Sequence, residues 1–122
     1  LERPALPAIA LTHDAGLATF LAGDEQGSQL FSRQLRALAS NQDTVMTLAG
    51  SHLSPADREA LDTARQMGCR TVLIAGEQVE LTGILPDINL SLPSDSLPRL
   101  QENILFIGNL LCTLVEGALF GT

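Results

Sequence analysis

Short apolar runs alternate with stretches of helical periodicity along this chain, and that alternation constrains the fold more than any other feature. PAIAL at 7–11, TVMTL at 44–48, TVLI at 71–74 and INLSL at 88–92 have the length and composition of buried strands. Between them lie helix patterns. One carries Leu17, Phe20 and Leu21 after Asp14 and stops at Gly23-Asp24; a second, over 28–39, turns Leu30, Phe31, Leu35 and Leu38 inward. A third starts with Ser54 as cap, Pro55 as first residue and Asp57 in the first turn, and Gly68 ends it. A short helical turn is expected over 79–85. Strands separated by helices predict parallel βαβ units. Composition agrees: 45% of the 122 residues are hydrophobic, with no Trp or Tyr and four Phe, so the core must be aliphatic, as in a parallel sheet covered on both faces.

The run PSDSLPRLQE at 93–102 opens the last and longest helix. Ser94, Asp95 or Ser96 can cap it, Pro98 suits its first turn, and Glu102 stands where a capping carboxylate belongs. Leu100, Ile104, Ile107, Leu111, Leu114 and Leu119 form the expected buried stripe. A formal charge of −7, without a Lys/Arg cluster, argues against direct nucleic-acid binding. Cys69 and Cys112 lack metal-ligand spacing and read as reduced thiols of a cytoplasmic protein. Neither a signal peptide nor an unbroken 18-residue apolar run is present, so no membrane association is expected.

The run at 93–102 resembles the pattern Pro-Ser-x-x-x-x-Arg-Ile-Gln-Glu near the end of the sugar isomerase (SIS) domain in the phosphoheptose isomerase group. ERPALPAIAL, LFSRQLRAL, the strand-turn with Gly76 and LLCTLVEGALF agree in the same order. The likeness runs over essentially the whole chain and is nearest to the DnaA initiator-associating branch. It implies an α/β fold: a flavodoxin-like parallel sheet with helices on both faces, in which residues 1–122 are the C-terminal part of one SIS domain. The family's N-terminal helix, first strand and Gly-Asn-Gly-x-Ser-Ala loop have no counterpart here. The absent strand would be central, leaving a hole between the strand at 7–11 and that at 44–48.

The same resemblance locates candidate sites. Residues 49–54 fall where relatives hold a sugar phosphate with Ser-Thr-Ser/Arg-Gly-Asn-Ser. This chain keeps Ser51 and Ser54, puts His52 and Leu53 for the Gly-Asn pair, and has Ala49 and Gly50 for the first two hydroxyls. Ser54 is a ligand contact or an ordinary helix cap, and His52 a loop residue or a replacement phosphate contact. Asp14 matches an Asp facing the family's cleft, although helix capping explains it equally. Asp24 and Glu25 read as solvated loop charges. Gln101 matches a Gln that the isomerases use, with a His eight residues on, among metal ligands and proton-transfer groups. Here that eighth position is Asn109, and Ile104 stands at another His position. An amide takes up no proton near neutral pH and is a poor zinc ligand, so neither metal nor cofactor is expected. Leu119-Phe120 resembles the Leu-Phe ending of the initiator-associating branch, a partner anchor unless it packs on its own core or oligomer.

Two functions follow as expectations. The first is a non-catalytic regulator, a homotetramer that binds the replication initiator ATPase and retains a cleft of phosphosugar-binding type. The second is a phosphoheptose isomerase acting on sedoheptulose 7-phosphate. Asn109 and the Ala49-Gly50 loop favour the first reading; Gln101, Ser51 and Ser54 keep the second.

Overall fold

A computed structural model describes residues 3–12, 15–23 and 26–121. The elements run α1 (Ala15–Gly23), a 3-10 turn (Gly27–Gln29), α2 (Leu30–Leu38), β1 (Thr44–Leu48), α3 (Pro55–Gln66), β2 (Arg70–Gly76), β3 (Ile88–Leu92) and α4 (Leu97–Phe120). The three strands form one sheet in the order β1-β2-β3, parallel throughout, with Thr44 opposite Arg70 and Val72 opposite Ile88. The expected α/β architecture, with helices on both faces of a parallel sheet, is therefore present.

Alternation along β2 divides the core. Leu73 and Ala75 face α3 and pack with Ala49, Leu53, Leu61 and Val79. Ile74 faces the other way, onto Leu92 and Leu100, with Ile104, Ile107 and Leu111 of α4 beside them. A third cluster joins α2 to α3 through Leu35, Ala60, Ala64 and Cys69. Small residues at 60 and 64 let the two helices approach closely. Every buried side-chain polar atom among the described residues has a hydrogen-bond partner, as packing in a low-dielectric interior requires.

Local signals worked where the chemistry was self-contained. Ser54 Oγ accepts from the Asp57 N–H while Asp57 Oδ2 accepts from the Ser54 N–H, each at 3.1 Å, a complete capping box ahead of Pro55. Gly68 leaves α3 at φ 79°, the left-handed conformation its missing Cβ permits. β3 begins at a reciprocal staple: Asp87 Oδ2 accepts from Thr71 N–H at 2.8 Å and from its hydroxyl, and Thr71 Oγ1 accepts from Asp87 N–H at 2.9 Å.

Other expectations need correction. Residues 7–11 form no strand. They run across from β1, on the far side of a groove of about 700 Å³ lined by residues 7–12, β1 and α2, so the ladder they would need is out of reach. Gln34 Nε2 donates to Leu11 O at 2.9 Å and fixes this segment to α2. Arg3 holds its other end, paired with Glu116 at 2.6 Å and lying 5.8 Å from the centre of the Phe120 ring. Residues 79–85 contain turns and no helix, with Gly83 at φ 77° interrupting any helical path. At the start of α4, Ser96 is the cap residue but its side chain makes no capping bond. Glu102 instead pairs with Arg99 at 2.7 Å, one turn back on the helix surface. Leu114 and Leu119 lie exposed, beyond the end of the sheet that covers Leu100 to Leu111.

α4 is long and apolar enough to cross a membrane by length and composition. Its stripe Leu100, Ile104, Ile107 and Leu111 packs on β2 and β3, with Glu102, Asn109 and Glu116 along the opposite side.

Candidate functional site

Parallel strands deliver their carboxyl ends to one edge of a sheet, where loops and helix N-termini collect. Here residues 49–54 leave β1, Gly76 closes β2, and residues 93–96 lead from β3 into α4. Glycines let these three segments touch. A Cβ at Gly76 would stand 3.2 Å from Gly50 O, 3.2 Å from Leu100 Cδ1 and 3.3 Å from Ser94 O. A Cβ at Gly50 would meet Leu97 Cδ1 at 2.7 Å. Gly76 N–H donates to Gly50 O at 3.0 Å, and Glu77 N–H donates to Leu92 O at 2.9 Å, so hydrogen bonds tie the same three chain segments.

Within this edge the candidate residues take different parts. Leu53 is buried among Leu61, Leu73 and Val79 and pins the loop, which leaves Ser51 and His52 exposed just before it. Ser54 is half-buried, and its hydroxyl oxygen already accepts the Asp57 amide, so the cap role is established. Asp57 also places a carboxylate in the first turn of α3, which opposes a second anion there. Gln101 is exposed one turn beyond Leu97, on the helix whose start abuts Gly50. Asn109 is exposed about 12 Å further along α4, at 1.5 Å per residue.

The structure therefore brings Ser51, His52, Ser54 and Gln101 to one edge. Leu119 and Phe120 are at the opposite end of α4, where Leu119 is exposed and Phe120 has the Arg3 guanidinium against its ring. Asp14, with His13, Asp24 and Glu25, falls outside the described residues. The contacts that sequence reading missed are Gly50 with Leu97 and Gly76 with Ser94. The available signal was an Ala-Gly pair at the end of each of two strand runs, Ala49-Gly50 and Ala75-Gly76. In the set implied on α4, Gln101 keeps its place, while Asn109 and Ile104 stand at the two His positions, and neither an amide nor an alkyl chain is a good zinc ligand.

No protein-family model matches the chain. Among curated proteins it is 40% identical over 121 residues to a phosphoheptose isomerase of Trichlorobacter lovleyi, covering 99% of this chain and 62% of that protein. It is 41% identical over 120 residues to one of Pelobacter propionicus, covering 98% and 64%. Among solved structures it superposes on a phosphoheptose isomerase from Francisella tularensis with a TM-score of 0.80 and 31% identity, covering 92% of this chain and 62% of that one. One from Neisseria gonorrhoeae gives a TM-score of 0.77 at 25% identity, over 88% of this chain and 61% of that one. The chain thus spans less than two thirds of the length of the relatives it matches.

These findings overturn the expectation of a non-catalytic, initiator-binding regulator. That reading leaned on Asn109, the Ala49-Gly50 loop and the Leu119-Phe120 ending, all local features, whereas the likeness to proteins named phosphoheptose isomerase extends over nearly every residue. In sequence and in fold, the chain is similar to the phosphoheptose isomerases of the SIS-fold group, over about 62% of their length.

Proposed function

We propose that this chain forms the phosphate-holding part of a phosphosugar isomerase of the phosphoheptose isomerase type, with sedoheptulose 7-phosphate as substrate. The observation that carries the reading is the convergence of residues 49–54, Gly76 and the start of α4 at the carboxyl edge of the sheet, in a chain 40% identical to such isomerases. In this reading Ser51 donates its hydroxyl and His52 its ring N–H to the phosphate. Ser54 orders the loop through its cap, and Gln101 reaches the sugar. Isomerisation moves a proton between neighbouring carbons, and Asn109 accepts none, so that position supplies neither the base nor the acid.

Two further elements belong to the proposal. The protein works as a homo-oligomer, consistent with the apolar side chains that α4 exposes at Phe106, Leu110 and Leu114. It acts in the cytoplasm, consistent with Cys69 and Cys112 both being free thiols.

The test is calorimetric titration of sedoheptulose 7-phosphate into the whole protein. Replacing Ser51 and His52 together by Ala removes two donors to a charged group, each worth about 1.5–3 kcal/mol, so Kd should rise about a hundredfold or more. Binding that is absent in the unaltered protein, or indifferent to both substitutions, rejects the assignment.

A further inference from the structure

The start of α4 sets an exposed leucine among the polar groups of the carboxyl edge. We propose that Leu97 determines specificity there, as the contact for the methylene carbon that carries a sugar's phosphate. The inference rests on the phosphosugar reading and names what that site selects: a phosphate monoester of a primary alcohol.

Of the two leucines in segments 49–54 and 93–97, Leu53 is buried in the core, whereas Leu97 is 49% exposed. What Leu97 does meet is backbone. A Cβ at Gly50 would stand 2.7 Å from Leu97 Cδ1, so the glycine is what lets the leucine tip lie on the loop. A hydroxyl-bearing side chain at position 50 and Leu97 in this conformation exclude each other. Position 50 therefore offers a ligand no hydroxyl, and Leu97 offers it carbon in its place.

Connectivity puts that carbon between the two ends of a phosphosugar. Gly50 directly precedes Ser51 and His52, the exposed donors assigned to the phosphate. Gln101, assigned to the sugar, follows Leu97 by four residues on α4, and residues at that spacing are neighbours on a helix surface, about 5–6 Å apart at Cβ. Leu100 is buried against Ile74 and Leu92, which closes the way beneath the helix. A ligand that spans the loop and Gln101 therefore crosses Leu97. A methylene group resting on the leucine tip is withdrawn from water, which is worth about fourfold in affinity per buried CH2. A hydroxyl pressed against the same surface loses its water and gains no hydrogen bond, so a phosphate on a more substituted carbon is disfavoured. Inorganic phosphate has no carbon and is indifferent to the residue.

The experiment titrates sedoheptulose 7-phosphate calorimetrically into the whole protein, alone and in competition with inorganic phosphate. It compares the unaltered protein with Leu97→Ala and Leu97→Met. Leu97 is half exposed and belongs to none of the three core clusters, so both variants keep the fold. Leu97→Ala should raise Kd for the sugar phosphate about four- to fifteenfold, the equivalent of one or two CH2 contacts, and change that for inorganic phosphate by less than about twofold. Leu97→Met keeps an apolar side chain of similar volume and should stay within about twofold for both ligands. An unchanged sugar-phosphate Kd in Leu97→Ala overturns the proposal. Equal weakening of both ligands overturns it too, since Leu97 would then act only by holding the loop that carries Ser51 and His52. Binding of neither ligand to the unaltered protein rejects the phosphosugar reading itself, and this inference with it.

Discussion

Gly76 and Gly50 occupy the same junction but differ in what stands over them. Above Gly76 are two backbone oxygens, which cannot swing aside, whereas above Gly50 is the tip of Leu97, which can. Gly76→Ala should therefore cost about 1–3 kcal/mol in urea denaturation, and Gly50→Ala less, because overpacking is costly where neighbours are rigid. A result in the reverse order would show that the junction is packed differently. The cysteines separate as sharply. Burial, and secondarily the Asp43 carboxylate, push the Cys69 thiol above its ordinary range, while Cys112 is exposed on α4. At pH 8 a thiol reagent should modify Cys112 first and Cys69 only on unfolding. Folded Cys69 holds its proton more tightly than the unfolded chain does. Its contribution to stability is thus intact below the thiol pKa of the unfolded chain and is lost as pH rises from there through the raised folded pKa. A Cys69→Ser variant whose stability falls just as steeply over that range would dismiss this account.

Helix starts give a paired comparison at the scale of elements. α3 opens with a full capping box and α4 with a serine whose side chain makes no capping bond. Ser54→Ala should lower stability by about 0.5–2 kcal/mol, and Ser96→Ala by much less, as read from chemical denaturation of the two variants. At the entry to β3, Asp87→Ala removes the acceptor of two bonds from Thr71 and should cost about 1–3 kcal/mol; a change within error would mean the strand pairing alone sets that register. The same contrast explains what could be read from the sequence. Ser54, Pro55, Asp57 and Gly68 act on neighbours within a few residues, so their pattern sufficed. The strand at 7–11 failed because a run such as PAIAL is a strand only beside another strand, and none of the three described strands pairs with it. The α4 cap failed for the reverse reason: several candidates, Ser94, Asp95 and Ser96, competed within one turn, and Ser94 Oγ accepts the Ser96 N–H instead.

For the whole molecule, the candidate site was legible as a place and less so as a chemistry. Ser51, His52 and Gln101 were placed by their likeness to relatives, and the structure gathers the loop and helix that carry them. What no local pattern could supply was the close approach of Gly50 to Leu97, since it joins segments far apart in sequence. Function misled for a similar reason: the amide at Asn109, the lost hydroxyls at Ala49 and Gly50 and two apolar residues at a helix end weighed more than the agreement of the rest. α4 is where assembly should be tested. Light scattering of a Phe106→Glu/Leu110→Glu variant should show a smaller particle than the unaltered protein, and an unchanged particle would place the copies' contact elsewhere.

The all-parallel sheet also has a consequence in time. No two strands here are joined by a hairpin: Thr44 finds Arg70 only after α3 is traversed, and Val72 finds Ile88 only after the loop at 77–87 is closed. Each pairing must therefore wait on a long stretch of chain being arranged, so refolding should be slow for a protein of this size and governed by the closure of those connections rather than by helix formation. While it waits, the newly synthesised polypeptide has α3 formed and its strands unpaired, and its yield in a cell becomes a race between completing the sheet and adhering to its neighbours.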